Sequence, residues 1–191
     1  MFSRFVFVRE WSYFLGFNFP VFLNQDVYLQ CGMLLALVTG QRLGDICRMK
    51  FSDIWDDMLH IEQEKTGSRL AIPLDLKCDA LGLTLRDVVS KCRDAVISKY
   101  LVHFRHSTSQ ATRGDSVSSS SLTTSFKKAR NKCGIEWEKG TAPTFHEQRS
   151  LSERLYEAQG VDTQKLLGHK SPQQTAKYHD DRGKDWTVIA V

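Results

Sequence analysis

DVYLQCGMLLALVTGQRLGDICRMKFSDIWDDMLHIEQEKTGSRLAIPL, residues 26–74, passes from a helical period to a strand period and thereby sets the fold class. Val27, Leu29, Met33, Leu34, Leu37 and Val38 have the spacing of a buried helix over Asp26–Val38, and Gly40 is placed to end it in a left-handed cap. A second short helix is expected over Leu43–Met49. Met58–Glu62 and Arg69–Leu74 then read as two strands around Lys65-Thr66-Gly67-Ser68, with Gly67 supplying the turn and Pro73 marking an edge position. Two helices followed by a hairpin with a lysine near its tip give an α+β class, mostly helical with a small antiparallel sheet.

Downstream, Leu85, Val88, Val89, Cys92 and Val96 predict a helix over Leu85–Ile97. Residues 107–121 hold seven serines, a glycine and an aspartate and read as a surface loop ending in an N-capping serine. The next helix is expected to run to Cys133 with Gly134 as its stop. It carries Lys127, Lys128, Arg130 and Lys132 with no acidic residue among them, a cationic face suited to DNA or simply a solvated surface. Thr144 is placed to cap a helix to about Gln159, before Gly160. Asp162 caps a shorter one ending at Gly168, and Ser171-Pro172 starts a third, with Tyr178 on it or just past it. The tail Trp186–Val191 is apolar and β-branched, fit to add a strand to this molecule's sheet or a neighbour's.

At 191 residues, with 41% apolar and 25% charged, the chain suits one folded domain and excludes wholesale disorder, collagen and coiled coil. Lys plus Arg number 26 against 22 Asp plus Glu, a formal charge of +4 that permits a polyanionic partner without requiring one. The five cysteines (31, 47, 78, 92 and 133) form no Cys-x-x-Cys pair, which fits small core residues in a reducing cytoplasm and gives no zinc cluster. No apolar run approaches the roughly 20 residues that span a bilayer. The first 23 residues hold nine of the twenty aromatics, but Arg9 and Glu10 interrupt them and no small-residue cleavage site follows. Residues 1–24 therefore read as an atypical N-terminal segment rather than a signal peptide, ahead of one domain over 25–191.

No P-loop, Gly-x-Gly-x-x-Gly, Gly-x-Ser-x-Gly or His-Glu-x-x-His occurs. The adjacent pairs Asp56-Asp57 and Asp180-Asp181 diverge on any regular element, so they suit turns better than a two-metal site, and neither metal nor cofactor is expected. A distributed cationic set remains: Arg42, with Asp45 one turn on; Lys65 in the hairpin; His146 and Arg149 at His-x-x-Arg spacing; His169 after Leu166-Leu167-Gly168; and Tyr178 nine residues later. Singly, each has an ordinary reading: Arg42 as a surface charge, His146 as a capping residue, Lys65 as a common turn lysine, Tyr178 as a half-buried aromatic. Together they can converge on one anion, since Arg forks match pairs of phosphate oxygens and His146 and Arg149 share a helix face.

In that order the set resembles the catalytic domain of the tyrosine recombinases of the phage integrase type, over about Gln25–Lys184. The resemblance implies that Arg42 and Arg149 clamp a DNA phosphodiester and that His146 is the base for Tyr178, which becomes linked to a 3′-phosphate. It further implies that Lys65 protonates the departing 5′ oxygen, His169 donates to a phosphate oxygen, and Asp45 orients Arg42. Gln148 stands where leucine is frequent in the family, at a position expected to pack. The family's core-binding and arm-binding domains do not fit into some 24 residues, so the chain reads as a truncated or remnant prophage integrase. Its implied partners are double-stranded DNA and other protomers in a synapse, with no membrane and no small-molecule cofactor. A non-enzymatic DNA-binding remnant and a type IB topoisomerase-like activity are the rival readings.

Overall fold

The computed structural model describes residues 26–109, 111–132 and 142–169. At its centre lies α1 (Val27–Thr39), in which Leu29 and every residue from Cys31 to Thr39 are buried. A helix that is apolar on all sides belongs in the interior. The described chain continues through α2 (Leu43–Arg48), a 3-10 turn (Phe51–Asp53), β1 (Ile54–Trp55), β2 (Met58–Glu62), β3 (Arg69–Pro73), β4 (Lys77–Cys78), β5 (Leu83–Thr84), α3 (Leu85–Cys92), α4 (Ser119–Lys132), α5 (Glu147–Ala158) and α6 (Thr163–Leu167). Helices α2, α3, α4 and α5 all pack on α1. At Gly32 the approach of α4 is so close that a Cβ would lie 2.9 Å from Leu122 Cδ2.

The three-stranded antiparallel sheet has the order β1-β2-β3, so β3 with its Pro73 is an edge, as the sequence implies. Strand alternation turns Leu59 and Ile61 of β2 into the core and leaves Met58 and Glu62 exposed. Asp56 and Asp57, at φ 50° and 56°, form the tight β1–β2 turn, which accounts for that acidic pair. Outside the turn, Trp55 stacks on His60 with centroids 3.4 Å apart. A second, two-stranded sheet pairs β4 with β5.

Several boundaries differ from expectation. The helix begun at Leu85 stops at Cys92 rather than Ile97, because Arg93 is extended at ψ 122°. Asp94 then turns back to accept the Val96 amide at 2.7 Å, and Ile97 is fully exposed. The serine-rich loop gives way to helix at Ser119, capped by Ser118 Oγ, which accepts the Ser121 amide at 3.1 Å. Helix α5 starts at Glu147 with His146 at its N-cap, while Thr144 holds the Glu147 carboxylate through its amide at 2.8 Å. Cys31, Cys47, Cys78 and Cys92 are buried free thiols. Residues 1–24, Cys133, Gly134, Ser171-Pro172, Tyr178, Asp180-Asp181 and the tail Trp186–Val191 lie outside the described residues. No described helix is long and apolar enough to cross a membrane.

Gln148 occupies a packing position, as expected, at 1% exposure, yet neither of its amide heavy atoms has a hydrogen-bond partner among the described residues. A buried polar group left unmatched costs about 1–3 kcal/mol. Gln148→Leu should therefore stabilise the chain by about 1 kcal/mol or more, read as a higher urea midpoint at unchanged slope; a lower midpoint would contradict this.

Candidate active site

The C-terminus of α1 is closed by donors from elsewhere in the fold. Gly40, at φ 65° and ψ 13°, takes the left-handed cap and gives its N–H to Ala36 O. The next carbonyls are orphans that burial forbids to water. Val38 O accepts the Tyr156 hydroxyl at 2.8 Å. Thr39 O accepts Gln41 Nε2 at 2.9 Å, and Gly40 O accepts Arg149 Nη1.

The C-terminus of α6 faces this one and is closed in the same way. Asp162 caps its start by accepting the Lys165 amide at 3.1 Å, and Gly168, at φ 65°, ends it. Leu166 O accepts Gln41 Nε2 at 3.0 Å. Leu167 O accepts both Arg149 Nη2 at 2.7 Å and Gln63 Nε2 at 2.9 Å. Gly168 O accepts Ser68 Oγ at 3.2 Å, from the β2–β3 turn. Both glycines are required by space as well as by φ: a Cβ on Gly40 would lie 2.7 Å from Leu167 Cδ2, and one on Gly168 would lie 2.9 Å from Gln63 Nε2.

Three of the expected site residues meet here. Arg149 is 2% exposed, and its Nη2 lies 3.1 Å from His169 Nε2. Arg42 follows α1 by three residues and gives Nη1 to Gln63 Oε1 at 3.0 Å. Burial first, then the Arg149 and Arg42 guanidinium groups, push the His169 pKa down from 6.5 to about 4. At neutral pH the imidazole is uncharged. Since Arg149 can only donate, Nε2 is the acceptor and the ring proton sits on Nδ1.

Lys65 lies in the β2–β3 turn, exposed, with no hydrogen bond or ion pair among the described residues. His146 is exposed at the N-cap of α5, one turn before Arg149. The expectation for Asp45 is corrected: its Oδ1 pairs with Arg48 at 2.8 Å and accepts the Glu64 amide at 2.9 Å, so it anchors the start of the hairpin turn and does not hold Arg42. The cationic face of α4 is also narrower than expected. Lys127, Lys128 and Lys132 are exposed, but Arg130 turns inward and gives Nη1 to Pro143 O at 2.7 Å.

Gln41 and Gln63 were missed. Gln63 follows Leu59 and Ile61 in the inward register of β2, and an amide where the alternation calls for an aliphatic was the available signal.

The phage integrase family model matches residues 21–184. The integrase of Enterobacteria phage P21 is 77% identical over 168 residues, covering 88% of this chain and 44% of that protein. A lambda integrase dimer bound to a COC′ core site superposes with a TM-score of 0.79 at 41% identity, covering 94% of this chain and 61% of that one. The lambda integrase catalytic core matches with a TM-score of 0.73 at 41% identity, over 83% of this chain and 92% of that one. The chain thus spans less than half the length of the curated relative from phage P21.

Two outcomes follow from the geometry. Between pH 6.5 and 4 the unfolded chain protonates His169 while the folded chain does not, so stability falls as pH drops through that window and is unaffected by this group above it. The thermal midpoint of His169→Gln should fall less between pH 7 and 4.5 than that of wild type; equal falls would contradict the lowered pKa. Gly40→Ala and Gly67→Ala both place an L side chain at positive φ, costing about 1–2 kcal/mol, but only Gly40 is crowded. Gly40→Ala should be the more destabilising in urea titrations, and equal losses would contradict the close approach.

Proposed function

The chain belongs to the phage integrase family, and from that premise we propose that it is a site-specific recombinase, breaking and rejoining double-stranded DNA through a 3′-phosphotyrosine intermediate, with residues 25–191 as the catalytic domain. The observation that carries this reading is the meeting of Arg42, Arg149 and His169 through the buried Gln63 amide and the Leu167 carbonyl that Gln63 and Arg149 share, beside the turn that bears Lys65.

Arg149 is fixed before any ligand arrives, so little reorganisation is needed when a phosphodiester enters. Its guanidinium and that of Arg42 take the non-bridging oxygens and stabilise the charge that grows in the five-coordinate transition state. His169 Nδ1–H donates to one of those oxygens. Tyr178 Oη, its proton taken by His146, attacks phosphorus; the P–O5′ bond breaks, and Lys65 gives a proton to the departing oxygen. The phosphotyrosine conserves the broken ester, and attack on it by a 5′-hydroxyl reverses the step with no cofactor.

Exposed Lys127, Lys128 and Lys132 on α4 supply duplex contacts. Beside the N-terminal half of that helix runs a groove of about 820 Å³, lined by Lys99 and by hydroxyls that include Tyr100, Ser118, Ser121 and Thr124, groups suited to a sugar-phosphate backbone. The related lambda protein binds its core site as a dimer, and we assign this chain other protomers as partners, with the C-terminal segment Trp186–Val191 as a point of contact. Its DNA substrate places it in the cytoplasm.

The test is a nicked suicide duplex carrying the attachment site, taken from DNA flanking the chain's own coding sequence, incubated in EDTA. Wild type should give a detergent-stable covalent adduct, and Tyr178→Phe should give none while binding DNA equally. Lys65→Ala should slow cleavage by about 100-fold or more with affinity little changed. Binding without any wild-type adduct would leave a non-enzymatic DNA-binding protein. Relaxation of supercoiled DNA lacking the site would favour topoisomerase-like action. Either outcome overturns the proposal.

A further inference from the structure

Gln63 is 0% exposed and uses its amide in full. Oε1 accepts Arg42 Nη1 at 3.0 Å and Thr66 Oγ1 at 2.6 Å. Nε2 donates to Gln41 Oε1 at 2.7 Å and to Leu167 O at 2.9 Å. These are the two donors and two acceptor sites that a glutamine side chain possesses. The main chain of the same residue forms the base of the turn: its N–H donates to Ser68 O at 2.9 Å, and its carbonyl accepts the Gly67 N–H at 2.8 Å.

We infer that Gln63 is a positioning residue, which holds the Lys65-bearing turn in register with Arg42 and with the Leu167–His169 segment. The inference rests on the recombinase reading above and deepens it. Hydrophobic burial does not explain the choice of side chain, since leucine would continue the inward row of Leu59 and Ile61 without an amide to satisfy. What glutamine adds is a single planar group to which three separate pieces of chain are tied. Lys65 has no tie of its own among the described residues, so the location of its ammonium group depends on the turn around it. Thr66, the next residue, fastens that turn to Gln63 Oε1, the same atom that receives Arg42. A general acid has to come within hydrogen-bond reach of the departing oxygen, and a misplacement of about 1 Å can cost about 100-fold in rate. Glutamate at this position would still accept from Arg42 and Thr66, but it would set carboxylate oxygen against Gln41 Oε1 and Leu167 O.

The experiment compares single-turnover cleavage of two saturating duplexes, one with the ordinary 5′ oxygen at the scissile ester and one with a bridging 5′ sulfur. In the sulfur duplex the P–S bond breaks and a thiolate departs. A thiol with pKa near 8.5 leaves without needing a proton, so defects in the acid are masked and defects elsewhere are not. Lys65→Ala should be slow on oxygen and close to wild type on sulfur. Thr66→Val is almost the same shape and removes the tie to Gln63 together with a long contact, at 3.4 Å, from the Ser68 amide within the same turn. It should lose about tenfold on oxygen and return to within about twofold of wild type on sulfur, with DNA affinity and thermal midpoint held. Gln63→Met should lose on both duplexes, since Arg42 is released as well, with the larger loss on oxygen.

If Thr66→Val and Gln63→Met each lose equally on the two duplexes, or if neither loses at all, the positioning role is overturned. If Lys65→Ala gains nothing from sulfur, it is the acid assignment in the recombinase reading that fails, which separates the two claims.

Discussion

Two helix C-termini, those of α1 and α6, end against each other in the interior, and the carbonyls exposed there cannot turn to water. Each must be met by a donor brought from another part of the chain. Gln41, Gln63, Arg149 and Ser68 answer this requirement and close Thr39 O, Gly40 O, Leu166 O, Leu167 O and Gly168 O. The demand for donors pulls the first turn of α5 and the β2–β3 turn onto the same spot. The proposed chemistry occupies a place that the fold has to fill with N–H and O–H groups in any case.

That concentration of donors has an electrostatic consequence. Burial above all, with the Arg149 and Arg42 guanidinium groups beside it, lowers the His169 pKa to about 4, so the imidazole is uncharged near neutrality. An arriving phosphodiester would reverse part of this, since its negative charge offsets the guanidinium groups that disfavour the imidazolium. On the proposed reading the protonation of His169 would respond to whether the anion is present, while Arg149, 2% exposed, keeps its place.

Much of this was legible in the sequence where the cause was local. The apolar spacing of α1, the terminating Gly40, the Met58–Glu62 and Arg69–Pro73 hairpin, and the Asp162 and Gly168 caps of α6 are each fixed within a few residues. The two-residue strands β1, β4 and β5 are too short to show a period and appear only once their partners are known. The early end of α3 has a tertiary cause: Asp94 is bound by His103 at 3.2 Å and Arg105 at 3.1 Å, which draws the chain out of the helix. Arg130 was misread for the same kind of reason, its carbonyl partner lying thirteen residues on. Of the expected site, Arg42, Arg149 and His169 are brought together and Lys65 is placed next to them. The role proposed for Gln63 depends on two distant segments, Gln41-Arg42 and Leu167, meeting its own turn at one amide.

The exchange of partners between Asp45 and Gln63 bears on how the proposed clamp would keep its charge. Sequence spacing sets Asp45 one turn from Arg42, an ordinary arrangement for an orienting carboxylate. Such a pair would hold the guanidinium well, and it would also cancel much of the positive charge a phosphodiester has to feel. The structure gives the carboxylate to Arg48 instead and gives Arg42 the neutral amide of Gln63. Among the described residues, Arg149 directs Nη1 and Nη2 onto main-chain carbonyls at helix ends and onto an uncharged imidazole. Carbonyl and amide dipoles fix the direction of a guanidinium fork while leaving its net charge in place. A site built to stabilise charge that develops only in the transition state needs both properties, and a carboxylate could have supplied only the first.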